Sequence, residues 1–97
     1  MRKGNIELLN RFEIAETETF QRSISKKNIS KIYEKIKSYV YPQLRINPFF
    51  GKNIKKLKGE FKDIYRYRIG EYRLFYSVDE KQIFIFIMDI VKRKDAY

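Results

Sequence analysis

The side chains best suited to chemistry in this sequence are guanidiniums on a strictly alternating frame. Tyr65-Arg66-Tyr67-Arg68-Ile69 interleaves rings and arginines, Gly70-Glu71 follows, and Tyr72-Arg73-Leu74-Phe75-Tyr76 resumes the alternation. Successive side chains of an extended strand point to opposite faces, so Arg66 and Arg68 share one side. A tight reversal at Gly70-Glu71 then brings Arg73 beside them on the returning strand. Like charges crowded in this way are costly unless an anion sits among them, and a nucleic-acid phosphate or an acidic protein segment is the expected ligand. Arg93 and Tyr97, just beyond the last strand, can reach the same patch. The chain contains no His and no Cys. Disulfides, thiolate nucleophiles, Cys-based zinc sites and imidazole acid–base catalysis are therefore excluded, and any catalysis falls to Arg, Lys, Tyr or carboxylates.

These arginines need a scaffold, and the pattern supplies one. Leu8 to Ala15 mixes apolar and charged residues in partial alternation and reads as a first strand. From Glu16 to Lys27 the acidic start and basic end complement a helix dipole, with Phe20 and Ile24 one turn apart. Asn28 can cap a second helix, in which Ile29, Ile32, Tyr33, Ile36, Tyr39 and Val40 recur at helical spacing until Pro42 ends it. Asn47 to Gly51 reads as a turn leading into the basic run Lys52 to Lys62. After the Tyr65–Val78 hairpin, Asp79-Glu80-Lys81 turns the chain into Gln82 to Val91. The unbroken apolar run Ile83 to Met88 suggests a central strand buried on both faces. The order β-α-α-β-β-β predicts an α+β fold in which two helices pack on one face of a twisted, mainly antiparallel four-stranded sheet. The other face is left for function.

Length and charge fit this picture. Ninety-seven residues without a repeat, linker or low-complexity tract make one domain, spanning 1–97. Twenty-two Lys and Arg against 12 Asp and Glu give a net charge of +10, a field that attracts polyanions and weakens with salt. A membrane is the poorest of the possible anionic partners: no apolar stretch follows Met1-Arg2-Lys3-Gly4-Asn5, and Ile83 to Met88 is too short to span. A cytoplasmic location is the expectation.

Three segments taken together resemble the core of the RelE/ParE toxin superfamily. They are Leu57-Lys58-Gly59, the hairpin Tyr65 to Tyr76, and the closing Lys92-Arg93-Lys94-Asp95-Ala96-Tyr97. The resemblance covers about the last 45 residues closely and the β-α-α start by pattern. It implies the toxin of a type II toxin–antitoxin system and, for RelE-type members, an endoribonuclease that cleaves mRNA on the ribosome. There the substrate's own 2′-hydroxyl attacks the adjacent phosphate, so neither metal nor cofactor is implied. Carried over position by position, the catalytic residues look like Arg66, Arg68, Arg73, Arg93 and Tyr97. The basic residues Lys52, Lys55, Lys56, Lys58 and Lys92 would then face ribosomal RNA, with Lys62 in the same run, although a solvated loop accounts for the run equally well on composition alone. Tyr65, Tyr67, Tyr72 and Tyr76 read as the packing side of the hairpin.

One departure leaves the general base open. RelE-type members place Lys at the second-strand positions, whereas Arg66 and Arg68 cannot lose a proton. Tyr97, Glu60 and Glu71 are the candidates. Two other functions share these features: a ParE-like inhibitor of DNA gyrase, and a degenerate module that keeps only antitoxin recognition. An acidic antitoxin is the expected protein partner under every reading.

Overall fold

The computed structural model describes residues 11–27, 29–59 and 63–93, and they form an α+β domain. Strand β1 (Glu13–Glu16) leads into helix α1 (Glu18–Lys27). Helix α2 (Ser30–Lys35), a π-helical turn (Ile36–Val40) and helix α3 (Tyr41–Ile46) follow as one continuous helical run. Then come β2 (Ile54–Lys56), β3 (Ile64–Ile69), β4 (Tyr72–Asp79) and β5 (Phe84–Lys92). The sheet order is β1-β5-β4-β3-β2, with β1 parallel to β5 and every other pair antiparallel.

Three expectations are corrected here. The sheet has five strands rather than four, because Ile54-Lys55-Lys56 inside the basic run pairs with Tyr67-Arg66-Tyr65. The second helix does not stop at Pro42, which falls in the first turn of α3. Inside a helical run a proline removes one ladder donor and crowds the preceding turn with its ring, and the wider π-helical turn just before it accommodates both. Finally, β5 is buried on one face only. Ile85, Ile87 and Ile90 are fully buried, while Phe84, Phe86 and Met88 are half-buried on the side without helices. Asn28, expected as a cap, lies outside the described residues; Ile29 occupies the cap position and makes no side-chain capping bond.

Local chemistry explains how the layers lock. The Thr17 hydroxyl accepts the Phe20 N–H at 3.1 Å, capping α1, and donates toward the carbonyl oxygens of Ile87 and Met88 at 2.9 and 3.0 Å. Those carbonyls flank a bulge in which β5 carries one extra residue, since Phe75 pairs with Asp89 while Tyr76 pairs with Ile87. Tyr67 and Ile69 of β3, Leu74 and Tyr76 of β4 and the β5 isoleucines face Phe20, Ile36, Val40 and Leu44 of the helices, forming a single core. On this side Glu16 accepts the Tyr33 hydroxyl at 2.8 Å and the Tyr41 hydroxyl at 2.8 Å, tying β1 to the helical run. Among the described residues no helix is long and apolar enough to cross a membrane.

Candidate functional site

Strand alternation delivers the arginines to the uncovered face. Arg68 and Arg73 are directly opposite in the β3–β4 register, and Arg66 stands two residues from Arg68, opposite Phe75. Directly paired positions hold their Cβ atoms about 5 Å apart, so the two guanidiniums of Arg68 and Arg73 share one patch. The reversal between the strands has Gly70 at φ 55°, with Ile69 and Tyr72 as the closing pair. A left-handed first residue matches the twist of a two-residue hairpin, and glycine adopts it without a Cβ clash.

Arg73 carries the clearest electrostatic signal. Its Nε and Nη1 atoms are buried, yet neither has a hydrogen-bond partner among the described residues. Leaving a buried donor unmade costs about 1–3 kcal/mol, and more when it is charged. The carboxylate close to it in the register, Asp89 opposite Phe75, is engaged elsewhere: it accepts the Ser23 hydroxyl at 2.6 Å and the Ile90 N–H at 2.8 Å. The ion pairs Arg22–Glu18 and Lys37–Glu34 lie on helix surfaces and involve none of Arg68, Arg73 and Arg93. A donor-rich patch in which Arg73 Nε and Nη1 are buried without an acceptor among the described residues fits a tetrahedral oxyanion.

The remaining expected residues divide. Lys55 pairs with Arg66 and extends the cationic patch onto β2. Lys56, one residue on, turns to the opposite face, where its ammonium lies 5.9 Å from the centroid of the Tyr65 ring. Lys52 and Lys58 are exposed in the segments flanking β2. Lys92 pairs with Tyr72, so alternation directs it to the helical side, away from Arg73. Arg93 is exposed just after β5, and its backbone N–H donates to the Glu71 carbonyl, which fixes it beside the hairpin reversal. Tyr97, Glu60 and Lys62 lie outside the described residues. Glu71, at the reversal, is exposed.

The hairpin tyrosines belong to the fold rather than to the patch. Tyr67 donates to the Gln43 side chain at 2.6 Å and Tyr76 to the Pro48 carbonyl at 2.7 Å. Burial raises the pKa of Tyr65, Tyr67 and Tyr76 above the ordinary phenol value, which disqualifies them as proton acceptors near neutrality. Sequence reasoning overlooked Phe75, which the register places on this face between Arg66 of β3 and Asp89 of β5. Its place in the alternation, two residues after Arg73, was the available signal.

Comparison with known proteins adds the family. The family model described as the ParE toxin of type II toxin–antitoxin systems, parDE, matches residues 15–97. The chain belongs to this toxin family. It is a type II toxin of the RelE/ParE superfamily, and solved structures repeat its architecture. A toxin–antitoxin complex, RelBE2 from Mycobacterium tuberculosis, aligns at 22% identity over 86% of this chain and 99% of the other, with TM-score 0.69. An archaeal RelE–RelB complex from Pyrococcus horikoshii OT3 aligns at 23% over 89% and 99%, TM-score 0.69. The YoeB dimer of Staphylococcus aureus aligns at 25% over 81% and 93%, TM-score 0.63. Among curated protein sequences nothing matches significantly.

Proposed function

We propose that this ParE-family toxin is a ribosome-dependent endoribonuclease that cleaves mRNA through attack of a 2′-hydroxyl on the adjacent phosphorus. The observation that carries the reading is Arg73: buried Nε and Nη1 without an acceptor among the described residues, on a face where Arg66, Arg68 and Lys55 gather. In the step, the 2′-oxygen loses its proton and bonds to phosphorus, and the bond to the 5′-oxygen of the next nucleotide breaks. The products are a 2′,3′-cyclic phosphate and a 5′-hydroxyl. The pentacoordinate transition state carries extra negative charge on its non-bridging oxygens. Arg73 and Arg68 donate to those oxygens from fixed positions, the kind of preorganised electrostatics that dominates such rate enhancements. Arg93, held at the reversal by its bond to Glu71, faces the leaving 5′-oxygen.

The proton acceptor is a carboxylate or the terminal phenol. Glu71 stands at the edge of the arginine patch; Glu60 and Tyr97 complete the set. Neither step nor binding calls on a metal. An acidic antitoxin segment would neutralise the same patch; the RelBE2 and RelE–RelB structures are complexes of a toxin with its partner.

The test is cleavage of a defined message on programmed ribosomes with the RNA ends mapped. Discrete cuts dependent on Arg73 and Arg93 are expected, and intact message at saturating protein overturns the reading. A second reading, inhibition of DNA gyrase, is favoured by the parDE description of the matched family. Gyrase-dependent DNA cleavage with undamaged message would select it.

A further inference from the structure

The uncovered sheet face has a second half that the arginine chemistry does not use. Along β4 the residues on this face are Arg73, Phe75, Ser77 and Asp79, and their partners on β5 are Val91, Asp89, Phe86 and Phe84. Phe84 and Phe86 are stacked, with centroids 5.8 Å apart and planes at 20°. Both are half-buried, and neither is among the residues packed on the core. Two stacked rings that could have been hidden at core positions of the same strand are instead presented on a face without helices.

We propose that Phe84 and Phe86 form a base-stacking platform for single-stranded RNA whose phosphates are held at Arg66, Arg68 and Arg73. This rests on the reading of the arginine patch as a phosphate site. Same-face positions on an antiparallel strand repeat about every 7 Å. Ser77, beside Phe86, therefore lies about 14 Å along β4 from Arg73, and Asp79, beside Phe84, about 7 Å farther. An extended strand of a few nucleotides covers that span, with Phe75 as an intermediate ring. Cationic groups at one end and π faces at the other are the combination that single-strand-binding surfaces use, because every base has a face to stack.

The groups around the rings choose between possible occupants. Glu13 of β1 pairs with Phe84 on one flank and Asp79 of β4 pairs with it on the other. Carboxylates there repel phosphates and acidic side chains alike, so an RNA strand seated on the rings keeps its phosphates toward the arginine end and turns its bases to the rings. Asp79 Oδ1 already accepts the Lys81 and Gln82 N–H groups at 3.0 and 3.1 Å, so the exposed Glu13 is the acceptor offered to the exocyclic amino group of cytosine or adenine, and bases carrying such a group are preferred over uracil.

Fluorescence anisotropy with the full chain tests this using three probes of equal length and charge: an oligocytidylate, an oligouridylate, and an abasic ribose-phosphate backbone. The wild-type protein is expected to bind oligocytidylate roughly 10-fold or more tightly than the abasic backbone, with oligouridylate between them. Phe84→Ala and Phe86→Ala should erase that difference. Phe84→Leu, which keeps apolar bulk without a ring, should erase most of it, and thermal unfolding checks that each variant is folded. Equal wild-type binding of the natural and abasic strands overturns the platform, as does full affinity in Phe84→Leu. So does a Phe84→Ala variant that keeps its RNA affinity but loses affinity for a synthetic acidic amphipathic peptide. Arg73→Ala reads the phosphate site separately: it should weaken all three probes alike, and an unchanged affinity for the abasic backbone would defeat the arginine reading, not the rings.

Discussion

The two faces of the β3–β4 hairpin are made by the same twelve or so residues and obey opposite rules. On the helical face the tyrosine hydroxyls of Tyr67 and Tyr76 each have a protein acceptor, and Leu74 beside them is fully buried. On the uncovered face the buried nitrogens of Arg73 have none among the described residues. One face spends its hydrogen-bonding capacity on the fold; on the other, Arg73 leaves buried donors unspent among the described residues. Because strand alternation separates the two so cleanly, stability and activity should be separable by substitutions one residue apart.

Leu74→Ala tests the structural face hardest. Removing a fully buried leucine should cost about 2–5 kcal/mol of unfolding free energy in a urea titration, and toxicity should fall only with the folded fraction. Its neighbour is the sharpest contrast. Arg73→Ala should lower cleavage on the order of 10²-fold without destabilising the fold, and relief of the buried unmade donors should raise stability by about 1–3 kcal/mol. Circular dichroism beside a growth assay checks both, and loss of toxicity accompanied by unfolding would collapse the distinction between the faces.

Tyr76→Phe probes the satisfied side more gently. The Pro48 carbonyl loses its donor in a buried setting, with a cost of about 1–3 kcal/mol and activity per folded molecule unchanged. Thr17→Ala removes the α1 cap and its link to the β5 bulge, and a loss of about 1 kcal/mol is expected by the same titration.

The smallest effect is a pH dependence on the helical side. Burial, together with hydrogen bonding to Glu16, pushes Tyr33 up to about 12 from an ordinary 10. The folded state therefore holds this proton more tightly than the unfolded chain. The associated stability is fully present below about pH 10 and is lost as pH rises toward 12. Tyr33→Phe should make the alkaline limb of a stability–pH curve shallower in that window, the rest of the limb coming from Tyr41, Tyr65, Tyr67 and Tyr76, whose burial also raises their pKa; substitutions among the arginines should leave the Tyr33 share alone.

Much of the uncovered face was legible because its code is local. A period of two places Arg66 with Arg68, and the Gly70-Glu71 reversal places Arg73 opposite Arg68; both follow from a dozen consecutive residues. The tyrosines were assigned to the core for the same reason. What failed to show was either too short or too distant. Ile54-Lys55-Lys56 forms a strand only because β3 offers an edge, and three residues rich in lysine carry no strand signature of their own. The fate of Pro42 depended on the π-helical turn before it. The apolar run in β5 could not reveal that its phenylalanines face away from the helices, since a continuous run reads the same whether one face or both are covered. Lys92 was grouped with the RNA-facing residues by its charge, and only the register with Tyr72 turns it away.

The strand order has a consequence for how the toxin comes into being. β5 sits between β1 and β4, so the first described strand gains its hydrogen-bonded neighbour only from the last. A nascent chain that has not yet exposed Phe84 to Lys92 holds β1 without a partner and β4 with one open edge, and pairings of such long sequence separation form slowly. During translation the half-built sheet is therefore both incomplete and adhesive.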